Sequence, residues 1–253
     1  MFLRGIVKTY LSEKQYGFIK GDDGKDYFFH HSSFKNKNDI DKLCEGLYLH
    51  FEQKATPKGY SAIQIELVEQ NITIGYEIPD TIYTSKNSDI KGWEVIEVSN
   101  WIVHGSSINS PDSAKEDMIH GAKLIGANAL FNIQYYKTTG SERGTGSRTY
   151  YYTIHNFRGR AANIARKSPN GQYNLDDLKQ INSNAKTLKT SLVKKTTSAK
   201  IKRMLFWLIV FLLISILWIY KKDFAIIGTI GLVILASFLS HATDYDSWLE
   251  EIK

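Results

Sequence analysis

Apolar and polar positions change period several times along the chain. Rings and Ile alternate with other residues at a period of two in Tyr16-Gly17-Phe18-Ile19 and again in Tyr27-Phe28-Phe29-His30. Gly21-Asp22-Asp23-Gly24 supplies turn chemistry between them, so the pattern predicts a β-hairpin. Side chains two apart on a strand share a face. Tyr16 and Phe18 therefore point one way and Ile19 the other, while Phe28 and His30 lie opposite Tyr27 and Phe29. If the hairpin pairs those faces, it presents a surface paved with flat rings beside Lys8 and Lys14. Every base has a π-face, so such a platform holds single-stranded nucleic acid without reading much sequence. The alternative is that the rings are simply core.

Further along, Ile90-Lys91-Gly92-Trp93-Glu94-Val95-Ile96-Glu97-Val98 opens a strand that continues through Trp101-Ile102-Val103. Ser113 and Glu116 have the spacing of a capping box ahead of Met118, Ala122, Leu124 and Ile125, which recur at helical spacing, and Gly126 suits the helix end. Residues 129–138 alternate as a strand, 140–147 form a Gly/Ser-rich loop, and 150–165 form a partner strand. The order β-α-β-β predicts a small α+β unit with a helix on one face of an antiparallel sheet. The Tyr150-Tyr151-Tyr152 run suits base stacking and, equally, a half-buried strand. Two charge-free apolar runs follow, 204–220 and 224–240, separated by Lys221-Lys222-Asp223. At about 17 residues each, they are at the short end for a bilayer of about 30 Å. Trp207, Trp218 and Tyr220 suit its interfaces, and the all-round apolar character argues against a buried hairpin of a soluble domain.

Charge sharpens this division. The 253 residues carry a formal net charge of +6. Residues 1–70 hold ten basic and ten acidic side chains, whereas 171–203 hold eight basic and two acidic, with no acidic residue between Lys179 and Lys222. The ring platform must therefore lean on stacking, and the excess positive charge lies just ahead of the apolar runs, where it suits an anionic membrane surface. Lys194, Lys195, Lys200, Lys202 and Arg203 outnumber Lys221 and Lys222, which orients both chain ends to the cytoplasm. The first residues lack the long apolar run of a signal peptide, which leads to the same expectation. Tyr245, Trp248, Leu249 and Ile252 have spacings of three and four and predict a short interfacial helix. Residues 168–203 read as a mobile basic tether, with helix beginning from about Leu175. Cys44 is the only cysteine; it precludes an intramolecular disulfide or a cysteine-cluster metal site and reads as an ordinary turn residue.

Residues 4–70 resemble the cold-shock domain family in order and spacing. Gly5-Ile6-Val7-Lys8 is similar to its first strand, Lys14-Gln15-Tyr16-Gly17-Phe18-Ile19 to its first ribonucleoprotein motif and Asp26-Tyr27-Phe28-Phe29-His30 to its second. Leu43-Cys44-Glu45-Gly46, Tyr48-Leu49-His50-Phe51 and Lys58-Gly59-Tyr60-Ser61-Ala62 resemble the later strands and turns. The resemblance implies a five-stranded OB-type β-barrel that binds single-stranded RNA or DNA. Its binding face would comprise Lys8, Tyr10, Lys14, Tyr16, Phe18, Phe28, His30 and, as a substitute, His31. Thr9 stands where the family usually has Trp, Gln15 where it has Gly and His31 where it has Phe. Stacking is worth about 1–3 kcal/mol per base, so Thr9 alone implies roughly tenfold weaker binding or more. His31 still stacks, and when protonated also attracts phosphate.

Residues 90–167 are similar to the YbjQ-type family, often labelled heavy-metal-binding, through Ile90-Lys91-Gly92 and Leu124-Ile125-Gly126-Ala127-Asn128-Ala129. The resemblance admits a homo-oligomer. It does not carry a metal site, because the region has no Cys, and His104, His120 and His155 are far apart in sequence. The expected organisation is multi-domain. A barrel (1–70) and a connector (71–89) lead to the α+β domain (90–167) and the basic linker (168–203). A transmembrane α-helical hairpin (204–240, with helices 204–220 and 224–240) and a tail (241–253) complete it. The whole implies a multi-pass inner-membrane protein of bacterial type that binds single-stranded nucleic acid and the bilayer, with no cofactor and no covalent chemistry. Asp22-Asp23 and Asp176-Asp177 sit in solvated contexts. The alternative is a membrane-anchored interaction or oligomerisation scaffold in which the YbjQ-like domain is the active part.

Overall fold

A computed structural model describes residues 2–69, 72–88, 90, 92–144, 148–220, 225–239 and 243–252. The chain divides into two compact units. One comprises Met1–Tyr83, Asp89–Glu97 and Asn163–Lys179, the other Thr84–Ser88, Val98–Ala162 and Gln180–Lys253.

In the first unit, β1 (Phe2–Leu11), β2 (Tyr16–Gly21), β3 (Asp26–His30), β4 (Tyr48–Thr56) and β5 (Gly59–Leu67) form a closed barrel in the order β1-β2-β3-β5-β4. Closure comes from the parallel contact Phe28↔Ser61 between β3 and β5 and from β1 pairing with β4. Strand alternation sends Ile19, Tyr27 and Phe29 fully inside, where they pack with Leu49, Phe51 and Ile65. Burial pushes the Tyr27 hydroxyl up to about 12, and that hydroxyl donates to Asp23 Oδ2 at 2.8 Å. Cys44 is buried rather than on an open turn, and burial raises its thiol to about 11. Gly17 is required by space, since a Cβ there would lie 2.3 Å from the Thr9 carbonyl oxygen and 2.7 Å from Phe29 Cζ. Beyond the barrel, β6 (Gly75–Glu77) pairs with the end of β10 (Thr149–Ser168), where Arg166 forms a 2.9 Å ion pair with Glu77.

In the second unit the sheet order is β11-β8-β10-β9-β7, with β7 at Tyr83–Thr84, β8 at Glu94–Ser107, β9 at Ala129–Arg143 and β11 at Leu249–Glu251. Helix α1 (Pro111–Leu124) buries Ala114, Met118, Gly121 and Ala122. Its cap is Ser110, whose side chain accepts from the Ser113 N–H, in place of a Ser113–Glu116 box. Pro111 lacks an N–H and has its φ preset, so it opens the helix earlier than the expected cap. The strands β9 and β10 run further than their alternation implied, because cross-strand pairing continues from Thr149↔Arg143 through the Gly/Ser-rich residues.

The helix expected within the basic segment from about Leu175 begins at Ile181, and α2 runs unbroken from there to Tyr220. No Gly or Pro occurs between Gly171 and Gly228, so nothing in the backbone interrupts it. Its first turns are rooted in the unit: Ile181 and Ala185 are buried, and Asn182 Oδ1 accepts from the Asn100 N–H at 2.9 Å. Among the described residues the tail forms no helix, contrary to the short interfacial helix its spacing predicts. Its Leu249–Glu251 pair antiparallel with Val103–Trp101 as an added edge strand. Helix α3 (Ala225–Leu239) packs against α2, with Trp218 Nε1 donating to Thr229 Oγ1 at 3.1 Å. Lys221, Lys222 and Asp223 lie outside the described residues.

Gln15 has φ +60° and ψ +25°, in the left-handed region, at the end of the short helix Ser12–Lys14. A residue with a Cβ is strained there by about 1–2 kcal/mol, while Gly loses more chain entropy on folding. Gln15→Gly is therefore expected to stabilise the barrel by about 0.5–1 kcal/mol, measured as a raised denaturant midpoint at unchanged slope.

Candidate nucleic-acid interface

The register of β2 and β3 places Tyr16 opposite His30 and Phe18 opposite Phe28. With Ile19, Tyr27 and Phe29 taken into the core, the same alternation forces Tyr16, Phe18 and Phe28 outward. Their rings form one cluster. Tyr16 and Phe28 lie 5.6 Å apart, Phe18 and Phe28 5.9 Å, and Tyr16 and Phe18 6.4 Å. Phe18 and Phe28 each keep 40% of their surface exposed. Exposed ring surface of this kind is what unpaired bases stack on.

His30 borders this cluster, and its orientation is set locally. Its Nδ1 accepts from the Ser32 backbone N–H at 3.2 Å and lies 2.8 Å from Ser32 Oγ. An accepting Nδ1 places the proton of the neutral ring on Nε2. His31 follows in the short helix His31–Ser33, its ring edge-on to His30 at 4.7 Å between centroids.

The other expected residues are dispersed. Tyr10 stacks on core Phe29 at 6.0 Å, and burial raises its hydroxyl pKa; it supports the barrel wall and does not join the ring cluster. Lys14 ends the Ser12–Lys14 helix and is exposed. Lys8 is exposed, but its ammonium donates to Asp26 Oδ2 at 3.1 Å. Lys20 reaches Asp26 Oδ1 at 3.5 Å. The Lys8 hydrogen bond, aided by the charge of Lys20, holds the Asp26 carboxyl below its ordinary pKa. Lys20 was missed in the sequence, although the alternation that turns Tyr16 and Phe18 outward also turns Lys20 outward. Thr9 sits across from Phe18 in the β1–β2 register. The ring that the family usually has there would have extended the row Thr9-Phe18-Phe28.

On β10, Tyr150 and Tyr151 are 64% and 74% exposed, so the half-buried strand account does not hold for them. Tyr135 stacks with His155 in the same ribbon. Among the described residues no cluster of three or more His, Cys, Asp or Glu side chains is placed to hold a metal ion.

A closed barrel with clustered surface rings on β2 and β3 defines the class as an OB-type nucleic-acid-binding domain. Residues 3–68 match the family described as 'Cold-shock' DNA-binding domain. Over 65 residues the chain is 37% identical to the retron Se72 cold shock-like protein of Salmonella heidelberg, covering 25% of this chain and 96% of that protein. It is 39% identical over 67 residues to a cold shock-like protein of Thermotoga maritima, covering 26% and 100% respectively. Cold shock protein 1 of Lactiplantibacillus plantarum is 34% identical over 61 residues, covering 24% and 91%. The chain belongs to the cold-shock domain family through this N-terminal quarter.

Asp26→Asn removes the carboxylate that both lysines now face. It is expected to tighten binding of single-stranded oligonucleotides and to steepen its salt dependence. The slope of log K against log salt should grow by about 0.7 for each lysine that turns to a phosphate, as measured by titration at several salt concentrations.

Proposed function

We propose that this protein is a membrane-tethered, single-stranded nucleic-acid-binding protein whose action is binding without covalent chemistry. Tyr16, Phe18, Phe28 and His30 stack unpaired bases, His31 extends that edge, and Lys8 and Lys14 contact phosphates with Tyr10 bracing the wall behind. The observation that carries this reading is the exposed Tyr16–Phe18–Phe28 cluster on a closed barrel. The match of residues 3–68 to the family described as 'Cold-shock' DNA-binding domain supports the nucleic-acid part of it.

The tether is read from α2 and α3. Ile181–Ile219 is long and apolar enough to cross a membrane, and Phe211 and Ile227 are 70% and 73% exposed. An exposed apolar surface of that extent marks a contact with a membrane or another protein, and the length of the helix favours the membrane. The return of the tail supports a hairpin. Leu249–Glu251 pair with β8 in the same unit from which α2 departs. If 204–220 crosses a bilayer, 225–239 must cross back for that pairing to form. The cluster Lys194, Lys195, Lys200, Lys202 and Arg203 then orients the soluble part and both ends to the cytoplasm of a bacterial-type inner membrane.

A second reading is a membrane-anchored interaction or oligomerisation scaffold built on the YbjQ-like region. It is favoured by one observation, the exposure of Tyr150 and Tyr151.

Full-length protein is expected to bind oligo-dT more tightly than duplex of equal length in fluorescence anisotropy, because the rings need unstacked bases. Phe18→Ala and Phe28→Ala should each cost about 1–3 kcal/mol. Unchanged binding by a folded double variant would refute the stacking face. A change of oligomeric state in Tyr150→Ser/Tyr151→Ser with nucleic-acid binding absent from the start would favour the scaffold.

For topology, a reporter fused after Lys253 is expected to be active only on the cytoplasmic side. A cysteine replacing Asp223 should be labelled from the opposite side. Replacing Lys194, Lys195, Lys200 and Lys202 by Gln should lower the fraction of molecules in this orientation. A reporter active only outside would mean that one of the two apolar runs does not span.

A further inference from the structure

Lys200, Arg203, Trp207, Phe211 and Ile214 recur at spacings of three and four, which sets them along one stripe of α2. Val233 of α3 closes the side of this stripe, and the result is an open groove of about 850 Å³. The helices that form it are held together by buried Val210 and Ala236 and by the Trp218–Thr229 hydrogen bond.

Its two ends differ in chemistry. Lys200 and Arg203 lie at one end, and no ion pair engages either among the described residues. Asp246, the acid that α2 meets a turn earlier, is already taken. Thr196 donates to it at 2.7 Å and Lys189 pairs with it at 2.9 Å, and together they lower its carboxyl to about 2. The other end is wholly apolar. From Arg203 to Ile214 the stripe rises about 16 Å, close to the roughly 15 Å of one leaflet, half of a hydrocarbon core of about 30 Å.

We propose that this groove holds one acidic phospholipid from the cytoplasmic leaflet, its phosphate-bearing headgroup on Lys200 and Arg203 and one acyl chain along Trp207, Phe211 and Ile214. The inference rests on the membrane reading above and deepens it from a general attraction for anionic lipid to one bound molecule. Two unpaired cations favour a headgroup with net negative charge over a zwitterionic one, whose ammonium they repel. The apolar wall excludes a free phosphate as sufficient occupant, since it would leave the groove's length uncovered.

The test uses the full chain in phosphatidylcholine vesicles that contain the same mole fraction of acyl-brominated phosphatidylglycerol or acyl-brominated phosphatidylcholine. Quenching of Trp207 is read as the difference from a Trp207→Phe variant. Brominated phosphatidylglycerol is expected to quench Trp207 more strongly. Lys200→Gln and Arg203→Gln should each lower that preference on the order of fivefold. Native mass spectrometry from the same vesicles should retain one phosphatidylglycerol per chain, absent from the double variant. Equal quenching by the two brominated lipids, or a preference that survives in the double variant, would overturn the bound-lipid inference while leaving the membrane reading intact. Failure of the wild-type chain to float with the vesicles would overturn the membrane reading and this inference with it.

Discussion

Closing β3 onto β5 leaves the barrel one small interior, and that interior decides what every ring near β2 and β3 can do. Ile19, Tyr27, Phe29 and Phe51 are fully buried in it beside Phe34, Leu49 and Ile65, and burying a large apolar side chain is worth about 1.5–3 kcal/mol. Gly17 measures how tight the fit is, because even a single added carbon would collide with Phe29. Tyr16, Phe18 and Phe28 are therefore outside for the same reason that their neighbours are inside, and they carry apolar area that the fold itself never covers. The site and the core are two faces of one packing solution.

Electrostatics around that site argue for a binder that depends more on stacking than on charge. Residues 1–70 balance ten basic with ten acidic side chains, and Lys8 and Lys20 share Asp26. An ion pair this exposed contributes little to stability, but it does compete with phosphate for the same ammonium groups. Thr9 removes a ring from the row that Phe18 and Phe28 continue. What remains is a short platform of three clustered rings with an imidazole at its border.

The facing of the rings was legible because a period of two needs only local sequence, and so was the barrel itself, whose motifs repeat a known order. The Lys8–Asp26 contact was not legible, since it depends on the register of three strands. The tail misled for a related reason. Tyr245, Trp248, Leu249 and Ile252 have helical spacing, yet a three-residue strand owes its conformation to its partner, here Trp101–Val103. The polar stretch ahead of Met204 was expected to be partly helical, and its lack of Gly and Pro is why the helix runs on without a break; Lys189 adds what the sequence could not reveal. Its ammonium donates to the Asp246 and Leu249 carbonyls at 2.6 and 2.7 Å and so fastens the returning tail to the helix.

That fastening limits how the apolar helices can be arranged more than hydropathy does. Asn182 ties the start of α2 to Asn100 of β8, and β11 ties the end of the chain to β8 as well. Any path between those two anchors crosses a bilayer an even number of times. With two apolar runs available, the choice is none or two. None would leave the apolar faces of α2 and α3 in water along nearly their whole length, at about 25 cal/mol for each Å² exposed. Two crossings place them in hydrocarbon, at the cost of spans that are short. The described 15 residues of α3 rise only about 22 Å, against a core of about 30 Å. The bilayer thinning or snorkelling that this mismatch demands costs fractions of a kcal/mol per Å. Over about 8 Å that is a few kcal/mol, well below the cost of leaving two apolar helices in water, and the proposed double crossing rests on that balance.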